Sequence, residues 1–134
     1  MKVRCIAREL SEDQKVLYKL PGRFKPQHGV AVGKEYVVIA VSFVVNSPYY
    51  GDSPLFEVVN ENLHLVSVPA ALFEITDPRC SALWMAKAHE DGTVSLRPQE
   101  LYRDYFYDKL SDREAETQEV FQALLDKLEA EMRP

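Results

Sequence analysis

Gly33-Lys34-Glu35-Tyr36-Val37-Val38-Ile39-Ala40-Val41-Ser42-Phe43-Val44-Val45 is the most strongly β-forming stretch of this 134-residue chain. Valine, isoleucine and aromatic residues fill both alternating positions. That predicts one strand over residues 35–45, central in its sheet or covered on both faces. Gly33 permits the tight entry to it. The apolar run within it, residues 36–45, is about half as long as a membrane-spanning helix requires, so no membrane segment is expected.

Working outward, residues 2–7 alternate Val3, Cys5 and Ala7 with Lys2, Arg4 and Ile6, which reads as a half-buried strand. Ser11-Glu12-Asp13-Gln14 has the capping-box form and predicts a short helix over residues 12–19, stopped by Pro21-Gly22. Residues 21–34, with Pro21, Gly22, Pro26, Gly29 and Gly33, form a loop. After the central strand comes a second polar loop, residues 46–54, which sets Tyr49 and Tyr50 among turn formers. A hairpin follows, with strands over 55–59 and 63–68 and a turn at 60–62. Residues 69–72 make one helical turn, and a strand covers 73–76. Asp91-Gly92 marks another hairpin, returning through residues 93–96. Its first arm, 81–89, alternates like a strand but is rich in the helix formers Ala, Leu and Met.

From Pro98 the spacing becomes helical, with no Gly or Pro before Pro134. Leu101, Tyr102, Tyr105 and Phe106 define the face of a helix starting near Pro98, which buries Tyr105 and Phe106. Ser111-Asp112-Arg113-Glu114 predicts the N-terminal cap of a last helix, and Val120, Phe121, Leu124, Leu125, Leu128 and Met132 form its apolar stripe. Residues 1–97 are therefore mainly β and 98–134 a helical extension within one α+β domain.

Met1-Lys2-Val3-Arg4-Cys5-Ile6, Val32 to Val38, Leu55 to Asn60 and Val68 to Ile75 together resemble the small SH3-like proteins common in bacteria and phages. The resemblance covers about half the chain and implies a small antiparallel β-barrel or strongly curved sheet, here closed by two C-terminal helices. In that frame Tyr36 stacks on the barrel, Pro69 begins the one-turn helix and Phe73 plugs the end. It implies fold and little about activity, because small barrels host unrelated functions. The long loops and residues 77–134 are additions to the pattern.

Sixteen Lys and Arg against 21 Asp and Glu give a net charge of −5, which disfavours nucleic acid as a partner. Cys5 and Cys80 follow no paired spacing, and the first residues lack an apolar signal core, so a reducing, cytoplasmic location is expected. His28, His64 and His89 stand at no metal-ligand spacing, and the five glycines form no phosphate loop, so neither metal nor cofactor is expected. The carboxylates Glu57, Glu61, Glu74, Glu90 and Asp91, and those from Asp104 to Glu131, read mainly as solvated surface.

The leading expectation is a protein-binding module, specifically an immunity protein that neutralises a basic toxin domain. Acidity, small size and the lack of a catalytic motif motivate it. Tyr49, Tyr50, Asp52, Tyr107 and Asp108 are the expected partner-binding residues, with the three tyrosines exposed and Trp84 in the core. Two alternatives stand beside it: an SH3-like adaptor of phage or bacterial origin that binds a host protein, and a small enzyme whose site assembles from His28, His64, Glu57 and a tyrosine. The oligomeric state is open.

Overall fold

The stretch read as one strand over residues 35–45 is two strands in two sheets. In the computed structural model, which describes residues 1–20 and 28–134, β2 (Glu35–Val37) and β3 (Ala40–Phe43) are separated at Val38 and Ile39. Val38 donates its amide to Met1 O at 3.0 Å and Ile39 donates to Glu57 O at 2.8 Å, so successive amides serve opposite partners. The backbone thereby passes from one sheet to the other without leaving a buried amide unpaired.

The first sheet has the order β2-β1-β6, with β1 (Lys2–Cys5) antiparallel to both β2 and β6 (Phe73–Asp77). The second has the order β5-β4-β3-β8-β7, all antiparallel, built from β4 (Pro54–Val59), β5 (Leu65–Pro69), β7 (Trp84–Ala88) and β8 (Val94–Pro98). No closed barrel forms among the described residues; the chain is an α+β arrangement of two sheets and C-terminal helices. β8 and β7 extend the larger sheet on the side of β3 away from β4.

Residues 81–89 resolve in favour of strand, since β7 pairs with β8 along its whole length. The expected helical turn after Pro69 is a 3-10 turn, Ala70–Leu72. The capping box at Ser11 and Gln14 is present and starts α1 (Glu12–Leu17). Pro21, Gly22 and Pro26, expected to stop that helix and open the loop, lie outside the described residues.

Two apolar cores sandwich the larger sheet. One face, with Val41, Phe56, Val58 and Val68, packs on Val3, Cys5, Tyr36 and Phe73 of the smaller sheet. The other side, with Ile39 and Ala40, packs on Leu101, Phe106, Phe121, Leu124 and Leu128. The expected cover on both sides therefore holds from Val38 to Val41 but not at Phe43 and Val45, which are exposed, and of the two strands only β3 is central, β2 lying at an edge. Trp84 is only partly buried, packed against the first core, and its indole Nε1 donates to Ile39 O at 2.9 Å, satisfying a carbonyl at the strand junction.

The C-terminal segment departs from the expected pair of helices at its start. Gln99–Tyr102 is a 3-10 turn, Tyr105 takes the left-handed conformation (φ 60°), and α2 spans only Phe106–Ser111. Tyr102 and Tyr107 both lie against the Arg97 guanidinium, 5.6 and 5.3 Å from their ring centres. Residues five apart on a continuous helix point about 140° away from each other, so both rings reach Arg97 only if the helix breaks between them. As a result Tyr105, expected in the core, is 73% exposed. Ser111 likewise ends α2 instead of capping the next helix. Arg113 turns left-handed (φ 59°) and α3 (Ala115–Glu131) begins after Glu114. The predicted stripe holds, with Phe121, Leu124, Leu128 and Met132 buried.

Candidate functional site

The loop at 46–54 is fixed by its own backbone and by α1. Ser47 and Gly51 exchange both backbone hydrogen bonds at 2.9 Å, and the Ser47 hydroxyl accepts from the amides of Tyr49 and Tyr50. Asp52 accepts from the Asn46 amide at 2.8 Å and donates its own amide to Tyr18 O at 2.8 Å. Gly51 sits with φ +55° so close beneath Tyr18 that a Cβ there would lie 2.1 Å from its carbonyl oxygen. Only glycine allows the loop to dock on the end of α1.

The two tyrosines of this loop part ways. Tyr50 is half-buried: its phenol donates to Ser67 O at 3.3 Å and its ring stacks on His28 with centroids 6.3 Å apart. Burial pushes the Tyr50 phenol up and the His28 imidazole down, so both are neutral at pH 7. Tyr49, at the loop tip, is 57% exposed. Asp52 is partly exposed, with Lys19 Nζ at 3.7 Å.

Beside this loop the sheet ends in uncovered apolar side chains. Phe43 pairs with Val94, and both are exposed, as is Val45, which touches the β7–β8 turn at Gly92. The same turn carries Glu90 and Asp91, both exposed. The Thr93 amide, donating to Asp91 at 2.9 Å, holds that carboxyl below its ordinary range and so ionised at pH 7. One end of the larger sheet thus gathers a fixed loop with an exposed tyrosine, an apolar patch and an acidic turn.

Tyr107 and Asp108 are not part of that surface. Asp108 is exposed on α2, but Tyr107, expected to be exposed, has its hydroxyl wholly buried at the sheet. It meets Glu57, which is only 4% exposed and not a solvated carboxylate as expected. Glu57 Oε2 and Arg97 Nε are 3.6 Å apart, and the Tyr107 phenol faces the same carboxylate in a geometry that falls short of a hydrogen bond. Burial, only partly offset by Arg97, raises the Glu57 carboxyl above its ordinary range. Burial next to that carboxylate raises the Tyr107 phenol.

A second polar chain runs along the same face. His89 Nε2 lies 2.8 Å from Ser95 Oγ, which is 2.9 Å from the Tyr102 hydroxyl, and that hydroxyl donates to Met85 O at 2.7 Å. A base beside a hydroxyl is the pairing that hydrolases use. Ser95, however, is 0% exposed, so no substrate carbonyl reaches it. The network anchors the 3-10 turn to the β7–β8 hairpin.

The chain matches no family model, no curated protein and no solved structure.

The three residues expected for an assembled enzyme site are placed separately. His28 stacks on Tyr50, Glu57 faces Arg97 and Tyr107, and His64 is exposed on the turn before β5. No three His, Cys, Asp or Glu side chains converge as metal ligands among the described residues, and no helix there is long and apolar enough to cross a membrane. Arg97 and Ser95 were not singled out by sequence reasoning, and Tyr102 was placed on a helix face, not beside Arg97. The usable signal was Glu57 itself, a charge inside the otherwise apolar Leu55-Phe56-Glu57-Val58-Val59, which demands a buried partner. The apolar end at Phe43, Val45 and Val94 gave no signal, because a run apolar on both faces does not show where its cover stops.

Proposed function

We propose that the chain is a protein-binding module, and specifically an immunity protein that neutralises a basic toxin domain by direct binding. The observation that carries the reading is the end of the larger sheet. Tyr49 is exposed on the fixed loop that joins β3 to β4, and at that same end of the sheet Phe43, Val45 and Val94 are exposed, with Glu90 and the ionised Asp91 on the β7–β8 turn. An apolar and aromatic centre with a charged rim is the anatomy of a protein interface. The net charge of −5 favours a basic partner and fast capture. A loop held by its own hydrogen bonds loses little entropy on docking.

The SH3-like reading of the N-terminal half belongs to the same proposal. It is supported by the backbone crossing between sheets at Val38 and Ile39 and by the 3-10 turn ahead of β6. An adaptor binding a host protein would use the same surface.

The test is co-expression with a toxin domain encoded beside this chain's gene. Cells are expected to survive the toxin only when the chain is present, and the two proteins to co-purify in a complex that forms more slowly at high salt. Cell death despite expression, with no complex at low salt, would remove the immunity reading.

A further inference from the structure

We infer that the partner docks a basic amphipathic helix on the face that the larger sheet leaves open across β3, β8 and β7. The inference rests on the reading of this end of the sheet as the binding surface, and it names what that surface takes. Side chains directly opposite each other in paired strands share a face. One such row crosses the sheet from β5 to β7 as Val68, Phe56, Val41, Leu96 and Ala86. Along it the first three are buried, Leu96 is half-buried and Ala86 is exposed. The smaller sheet therefore covers one side of this face and leaves the other open. In the next row Pro54 is half-buried, and Phe43, Val94 and Ala88 are exposed.

The open side carries no charge within the strands. β7 contributes Trp84, Ala86 and Ala88 to it, and β8 contributes Val94 and Leu96. Lys87 and Arg97, the charged residues of these two strands, alternate onto the opposite face, where both lie by the Tyr102 ring at 5.7 and 5.6 Å.

Size and charge select the occupant. From β3 to β7 is two strand spacings, about 10 Å, and the smaller sheet forms a layer about 10 Å above the larger one. A helix with its side chains is about 10–12 Å across, so one helix fills the open width and continues that layer. The methyl groups of Ala86 and Ala88 let it approach closely, and an apolar helix face laid on such a surface is a recurrent mode of recognition. At the turn end, Glu90 and the ionised Asp91 are exposed, and neither is in an ion pair among the described residues. Uncompensated carboxylates at the end of an apolar strip call for Lys or Arg on the matching end of the helix. A second copy of this chain, at net charge −5, would bring net negative charge instead.

The experiment titrates three synthetic peptides of about 18 residues into the full chain. One has leucine and lysine at helical spacing, one has glutamate in place of lysine, and one alternates leucine and lysine at strand spacing. Trp84, the sole tryptophan, reports by fluorescence, and the amides of Ala86, Ala88 and Val94 report by NMR shifts. The lysine helix is expected to move these signals and to bind about tenfold or more tightly than either other peptide. A86K is expected to bind it about tenfold or more weakly, and M85K, which adds the same charge to the opposite face, to bind close to the wild type. E90Q/D91N is expected to lose the preference for lysine over glutamate. Unchanged circular dichroism confirms that the variants fold, as exposed positions allow. No binding of the lysine helix at millimolar concentration, equal binding of the three peptides, or equal losses in A86K and M85K overturns the inference. So does a preference for lysine that survives E90Q/D91N. Failure here beside an intact toxin complex removes the helix and leaves the binding reading, whereas a bound lysine helix without a toxin complex does the reverse.

Discussion

Arg97 Nε lies 3.6 Å from Glu57 Oε2, opposite charge facing a carboxylate that is almost wholly buried, yet beyond hydrogen-bond reach. Glu57 is on β4 and Arg97 on β8, with β3 between them, and Tyr102 and Tyr107 flank the guanidinium. The pair thus joins the sheet to both the 3-10 turn and α2. Removing Arg97 alone leaves a buried carboxylate without its counter-charge. R97M is expected to lose about 3–5 kcal/mol in urea denaturation, and the double variant E57Q/R97M to regain most of it. A double variant no more stable than R97M would contradict this account of the pair.

The pH dependence of the same pair has a definite sign. Burial raises the folded-state carboxyl of Glu57 above its unfolded value. The folded protein therefore binds the proton more tightly, and this stabilisation is complete below the unfolded pKa and lost as pH rises through the folded one. The stability of the wild type relative to E57Q should fall as pH rises from about 4 towards neutrality, and then level off. Denaturation of both proteins across that range measures it. A difference that grows with pH would mean that Arg97 outweighs burial.

The break before α2 predicts an unusual response to glycine. Tyr105 is left-handed and 73% exposed, so Y105G relieves backbone strain and forfeits little packing. Stability by thermal denaturation is expected to stay level or rise by up to about 1 kcal/mol. In a continuous helix the same change would cost about 1 kcal/mol.

The loop that carries Tyr49 depends on Gly51. G51A would place a methyl group against Tyr18 O in a left-handed conformation, so the loop must leave α1. A loss of at least about 1 kcal/mol is expected. Faster exchange of the Asp52 amide, now bonded to Tyr18 O at 2.8 Å, would mark the undocking. An unchanged Asp52 amide would contradict it.

Much of the fold was legible because most of its strands are short and bounded by strong turn signals. Asp91-Gly92, the Asn60 turn and the Ser11 capping box are all local chemistry, and each appears where its residues stand. What was not legible depended on distant partners. The apolar run at 35–45 says that both faces are covered but not that the covers belong to different sheets, which Met1 O and Glu57 O decide. The false helix from Pro98 had sound periodicity, overridden by the two tyrosines that converge on Arg97. The Ser111 box failed because α2 is set by Phe106 in the core, and that places Ser111 at its end. At the candidate site, the tyrosine loop was legible from its turn formers. The apolar patch beside it was not, since its exposure follows from where the smaller sheet stops.

The central claim is that the chain works by binding through the end of the larger sheet. Its most direct test is the affinity of Y49A for a toxin domain encoded beside this gene, with Y105A as an exposed tyrosine outside that surface. Y49A is expected to bind about thirtyfold more weakly, the loss of roughly 2 kcal/mol typical of an anchor residue, and Y105A to bind like the wild type. Equal affinities for the wild type and Y49A would contradict the account.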